Sequence, residues 1–176
     1  MYLYHYYDRR TGPFRSLTSI PREEAKRVLE KIRQERPDSF CAQRDGEYIT
    51  RRLNCEARLR KEFLAIGGVT DIDSPHYMVL GESRWLSTWY EQSDCIKIPV
   101  EKFDISKISF TYGDSMPTFN FKDGKEYREK VYDYEGILKV IEKYGLPQEW
   151  NDDGRYGPER YVEAHVWTDD VIKDYL

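Results

Sequence analysis

Three observations predict an α+β fold. Two amphipathic helical stretches lie early in the chain, short strand-like runs fall mostly after them, and no repeat, low-complexity tract or linker divides the 176 residues. A chain of that length suits one domain with a substantial core. The expected architecture is a single domain over 1–176. Its two N-terminal helices pack on a mostly antiparallel sheet, continuous or split.

The first run, "YLYHYY" at 2–7, is rich in β-formers and closes at the glycine–proline loop "DRRTGPF". "SIPREEAKRVLEKIRQERP" then reads as a helix. Pro21 sits in its first turn, Glu23 and Glu24 favour the positive end of the helix dipole, and Pro37 follows its end. Ala25, Val28, Leu29 and Ile32 supply one apolar stripe. A second helix over about 45–66 carries Ile49, Leu53, Leu59, Phe63 and Ile66 and stops at Gly67-Gly68.

"PHYMVLG" reads as a short strand, and "SRWLSTWYEQ" as one or two helical turns capped by Ser83. "CIKIPVEKF" and "SKISFTY" are two further strands, the first placed at an edge by Pro99. "KEYREKVYDY" is expected as another strand. The helix "YEGILKVIEKYG" follows, capped by Asp133 and ended by Gly145, and "YVEAHVW" is the last strand. Between them "YGDSMP" reads as a turn, because Gly113, Asp114 and Ser115 favour one, or as a loop that holds a ligand.

Composition narrows the function classes. Aromatic residues make up 15% of the chain, too many for a disordered protein. A net charge of −4 disfavours general nucleic-acid binding. The one basic concentration, "RRLNCEARLRK", reads either as a solvated helix face or as an anion contact. Cys41, Cys55 and Cys95 are odd in number and form no CxxC, which fits reduced thiols in the cytoplasm. Neither a signal-peptide pattern nor an apolar run of membrane-spanning length is visible, so no membrane association is expected.

Specific catalytic signatures are absent: the chain has no GxGxxG, P-loop, HExxH or GxSxG. His5, His76 and His165 include no i, i+2 or i, i+4 pair, so no metal is expected. The last strand is more informative. Val162, Ala164 and Val166 point one way, while Tyr161, Glu163, His165 and Trp167 point the other. A carboxylate among aromatic rings belongs on a face that is either open to solvent or functional.

These residues carry a resemblance. "LYHYYD", "PHYMVLG" and "ERYVEAHVW" resemble the motifs of the ADP-ribosyltransferase-like proteins, which place a His on the first strand, a Tyr or Ser on a middle strand and a Glu on a late one. The resemblance implies NAD as cofactor, with His5 on a ribose hydroxyl, Tyr77 against the nicotinamide and Glu163 stabilising the oxocarbenium-like sugar. It implies Arg9 or Arg10 at the diphosphate. Ser109 and Tyr112 would line the cleft if their strand borders that of Glu163. Tyr161 stands where arginine-modifying members carry Glu or Gln, which argues against arginine as the acceptor. Separately, "SFTYGD", "LPQEWN" and "YGPERY" resemble a group of small bacterial single-domain proteins that brings no activity with it. The competing expectation is a non-enzymatic module whose aromatic face recognises a small nucleotide or a protein partner.

Overall fold

The computed structural model describes all residues, Met1–Leu176, and shows an α+β fold. Five strands form one sheet: β1 (Tyr2–Asp8), β2 (His76–Leu80), β3 (Ser93–Pro99), β4 (Ile108–Tyr112) and β5 (Val162–Val166). Their spatial order is β3-β1-β2-β5-β4, and every pairing is antiparallel. The sheet is continuous, not split. β3 lies at an edge, where Pro99 forfeits no ladder bond.

Helices α1 (Arg22–Glu35) and α2 (Tyr48–Ala65) fall where the apolar periodicity places them. Pro21 precedes α1 as its cap instead of sitting inside its first turn. Short helices α3 (Arg84–Ser87) and α4 (Ser115–Asn120) are each capped by the preceding side chain. Ser83 accepts from the Leu86 N–H, and Asp114 accepts from the Met116 N–H. The stretch read as a turn after β4 is therefore the start of a helix. Gly113, at φ +105°, lets the chain leave the strand and bring Asp114 into its capping position.

Helix α5 (Tyr134–Tyr144) is capped by Asp133, which accepts from the Gly136 N–H at 2.7 Å, and ends at Gly145 in the left-handed region. The single turn α6 (Pro147–Trp150) follows it. "KEYREKVYDY" is not a strand. Only Tyr132 pairs with the sheet, through reciprocal bonds to Phe110 of 2.8 and 2.9 Å. Arg128 is drawn instead into ion pairs with Asp123 and buried Glu159, and Glu129 adopts φ +57°, which no strand accommodates.

The sheet is covered on both sides. Leu3, Met78, Leu80, Phe110, Val162 and Ala164 fill the face packed against α5, together with Ile137 of that helix. The opposite face lies beneath α2 and α4. There Trp167 joins Leu59 and Phe63 of α2 and Phe119 of α4 in a separate apolar cluster. Helix α1 packs outside α2 through Ala25, Leu29 and Ile49.

Candidate functional site

Strand register builds the site on the face under α2 and α4. Tyr77, His165 and Ser109 stand opposite one another in one row across β2, β5 and β4, and Val79, Glu163 and Thr111 form the next. Glu163 and His165 are 4% and 0% exposed. The face expected to be open or functional is thus not open. A buried charge is tolerated only with partners, and Glu163 has several.

One Glu163 oxygen, Oε2, accepts the Ser115 N–H at 2.8 Å and the His165 Nε2–H at 3.0 Å. Its other oxygen lies 3.5 Å from Nη2 of Arg52. Behind His165 the donors run in one direction. The Trp167 indole N–H donates to the Ser109 hydroxyl, which donates to His165 Nδ1. A neutral imidazole with its proton on Nε2 satisfies every bond in that chain. Burial alone would raise the Glu163 pKa. The Arg52 charge and the His165 and Ser115 hydrogen bonds outweigh it and hold the group at about 2.

Arg52 reaches the sheet from α2. Its guanidinium lies over the Tyr77 ring, 4.0 Å from the centroid, and Nη1 donates to the Ser115 hydroxyl at 3.1 Å. Burial works against its charge, but Tyr77, Glu163 and Asp114 keep it protonated. One turn further along α2, Glu56 is 2% exposed. Its Oε1 accepts from the Tyr77 hydroxyl at 2.9 Å and from Thr18 at 2.7 Å, while its Oε2 has no partner.

Asp114 joins the network to solvent. Its side chain is 28% exposed, lies 3.8 Å from Arg52 Nη1, and accepts from the buried Tyr161 hydroxyl at 3.0 Å. Burial of most of the carboxyl and the Glu163 charge push its pKa up, while that of Glu163 goes down. From Tyr161 a row of rings runs outward through Trp85, Trp89 and Phe40, with centroid spacings of 6.1, 4.9 and 4.1 Å. Arg160 stacks on Trp85 at 3.8 Å, and Phe40 is exposed. Two open grooves lie elsewhere. One runs between α1 and α2 beside Lys26 and Arg33, the other along α2 beside Arg60 and Leu64.

The candidate residues divide by sheet face. Tyr77, Glu163 and Ser109 come together. His5 does not join them, because alternation along β1 puts it with Leu3 on the apolar face, opposite Ile96. Its Nδ1–H donates to the Tyr77 carbonyl at 2.9 Å, its Nε2 accepts the Phe14 N–H at 2.8 Å, and the ring stacks on Phe14 at 4.0 Å. Burial lowers its pKa to about 4. Tyr112 is also on the apolar face, its hydroxyl bonded to the Gly145 carbonyl. Arg9 and Arg10 lie beyond the end of β1, paired with Asp94, Asp8 and Glu91.

Arg52 and Glu56 stand in the stretch read as a solvated helix face or an anion contact, and Asp114 and Ser115 in the stretch read as a turn, so sequence reasoning gave none of the four a place beside Glu163. Arg52, Cys55, Glu56, Leu59 and Phe63 share the buried stripe of α2, with the spacing of an amphipathic face. A search restricted to apolar members reads the two charges as solvent-facing, and it also assigns Ile66 to the core, where Ile66 is 49% exposed.

Compared with protein-family profiles, curated proteins and solved structures, the chain has no significant match. Its function is therefore argued from the chemistry of this face. No helix is long and apolar enough to cross a membrane.

Proposed function

We propose that the face centred on Glu163 binds NAD and cleaves its nicotinamide–ribose bond, transferring ADP-ribose to an acceptor in the manner of ADP-ribosyltransferase-like enzymes. The observation that carries this is the orientation of one ionised carboxylate. Glu163 is fixed by the Ser115 N–H and by His165, beside an aromatic ring, in surroundings almost free of water. Such a carboxylate is worth most opposite positive charge that develops on a sugar carbon.

In this reading the bond from C1′ to the nicotinamide nitrogen breaks with its electron pair going to the ring. Glu163 stabilises the positive charge left on the ribose, and the acceptor oxygen or nitrogen attacks C1′ and loses its proton. Tyr77 supplies a flat wall for the leaving ring. His165 and Ser109 act as positioning residues, since they hold the Glu163 carboxylate and do not face the sugar. His5, Tyr112, Arg9 and Arg10 have no part.

The test is release of nicotinamide from NAD, followed by chromatography, with Glu163→Gln as the control. The expected loss in that variant is on the order of 10²–10³ in rate, the magnitude typical of removing one preorganised electrostatic partner. Unchanged release in Glu163→Gln, or neither release nor a thermal shift with NAD in the native chain, sinks the proposal.

A second reading is favoured by the row from Tyr161 to exposed Phe40, in which the buried Trp89 indole N–H has no partner. There the protein is a binding module that holds a nucleotide or a protein segment along the rings. Binding that ignores Glu163→Gln and is lost in Trp89→Ala selects it.

A further inference from the structure

The arrangement of Arg52 is informative beyond its charge. Its guanidinium is a planar, delocalised cation that lies over the Tyr77 ring, 4.0 Å from the centroid, with Nη2 3.5 Å from the Glu163 carboxylate. Those two partners, in that geometry, suit any planar cation of similar size. A pyridinium ring would compete for both. The buried surface therefore already holds an occupant of the chemical class that the proposed reaction requires, and the occupant belongs to the chain itself.

Two further observations point to a ligand. First, Glu56 Oε2 is buried, accepts nothing, and belongs to the carboxylate that fixes the Tyr77 hydroxyl. A buried carboxylate oxygen without a donor costs free energy and invites an N–H from outside the chain. Second, Arg52 faces three carboxylates, those of Glu56, Glu163 and Asp114. Even with a proton on Asp114, two negative charges face one guanidinium. One more cation is electrostatically welcome there.

Arg52 also has somewhere to go. Nη1 lies 3.8 Å from Asp114, the network's one partly exposed carboxylate. A swing of the guanidinium toward Asp114 keeps an ion pair, gains hydration and uncovers the Tyr77 ring. We propose that Arg52 is an internal plug, and that the site opens when an amide-bearing planar cation displaces its guanidinium toward Asp114, stacks on Tyr77 against Glu163 and donates its amide N–H to Glu56. The identity of the ligand rests on the NAD reading above; the plug itself does not.

The test uses the full chain and 1-methylnicotinamide, which carries the ring, the charge and the amide without a ribose. Benzamide tests the charge and 1-methylpyridinium tests the amide. Arg52→Met removes the plug while keeping a side chain of similar length. By calorimetry it is expected to bind 1-methylnicotinamide at least tenfold more tightly than the native chain does, and at least tenfold more tightly than it binds benzamide. Adding Glu163→Gln is expected to cancel both gains. Glu56→Gln in the Arg52→Met background is expected to erase the preference over 1-methylpyridinium.

A folded Arg52→Met protein, with native near-UV circular dichroism, that binds 1-methylnicotinamide no better than the native chain overturns the proposal. So does one that binds benzamide equally well. If Arg52→Met does not fold, the Arg52 Nε–H resonance of the native chain decides. Its movement during titration with 1-methylnicotinamide supports displacement, and a resonance that stays fixed at saturation refutes it. Failure of the NAD reading is distinguishable: a chain that releases no nicotinamide, yet seats the cation in Arg52→Met, loses the transferase reading and keeps the plug. Nicotinamide release without any gain in Arg52→Met does the reverse.

Discussion

On the side of the sheet under α5, Leu3, Met78, Ala164 and Phe110 make an apolar surface, whereas the same strands present Tyr77, Glu163, His165 and Ser109 to α2 and α4. Both faces are buried, so solvent does not explain the difference. The α5 face is held by packing, which tolerates any apolar group of the right volume. The other face is held by a chain of donors and charges, and each member is needed because its neighbour would otherwise be stranded. A fold needing only a core would have no use for a second face of that kind, and such a face is where chemistry is sought.

The largest expected effect comes from substituting one residue on each face. Phe110→Ala should cost roughly 3–5 kcal/mol, the usual range for emptying a buried aromatic site. Glu163→Gln should cost about 3 kcal/mol, near the lower end for breaking a buried ion pair, since Glu56 and Asp114 still face Arg52. The two losses should part with pH. The Glu163 pKa is depressed from 4.5 to about 2. Its stabilisation is fully present above 4.5 and disappears as pH falls through 2. Urea unfolding at pH 7 and pH 3 should therefore show the Glu163→Gln deficit shrinking and the Phe110→Ala deficit constant. A Glu163→Gln deficit of equal size at both pH values would remove the carboxylate as its cause.

A smaller effect tests a histidine that sits on the apolar face, His5. The His5 pKa is lowered from 6.5 to about 4, by burial first, against the favourable bond to the Tyr77 carbonyl. A depressed pKa means stability that is complete above 6.5 and is lost as pH falls through 4. Over that window the native chain should lose up to about 3 kcal/mol. His5→Phe should start lower, having stranded the Phe14 N–H, but it should lose less stability than the native chain across the same window. An imidazole resonance of His5 titrating near 6.5 would show that the ring is not buried neutral between the strands.

The comparison also explains what was legible in the sequence. Alternation in "YVEAHVW" marked both faces of β5, and the apolar periods of α1 and α2 and the caps of α5 placed those helices within a few residues. The same alternation separates His5 from Tyr4 and Tyr6 along β1 and assigns it to the apolar face. A motif match across three strands carries no information about side-chain direction, so it grouped His5 with Glu163. Arg52 and Glu56 were less accessible. A charged residue in a helix is ordinarily a solvated one, and only the sheet opposite makes these two interior. The same holds at 125–134, where the Arg128 pairing with Asp123 and Glu159 overrode a run of β-formers.

The smallest expected effect separates the faces most cleanly, because the local chemistry is the same on both. Asp133 caps α5 on the apolar side, and Asp114 caps α4 on the polar side, each accepting a backbone N–H within 2.8 Å. Asparagine caps a helix about as well as aspartate, so neither Asp133→Asn nor Asp114→Asn should lose more than a few tenths of a kcal/mol as a cap. Asp114, however, has its pKa raised by burial and by the Glu163 charge. A raised carboxyl pKa means stability that is present below the ordinary carboxylate range and lost as pH rises through the folded value. Its ionisation therefore opposes folding at neutral pH. Asp114→Asn should then be as stable as the native chain or slightly more stable at pH 7, with that advantage vanishing at pH 3. Asp133→Asn should show no such reversal. Denaturation of both variants at the two pH values measures the difference. If Asp114→Asn is instead markedly weaker at pH 7, its carboxylate is a partner that Arg52 requires in the resting state, not one held in reserve, and the polar face is a closed structural network.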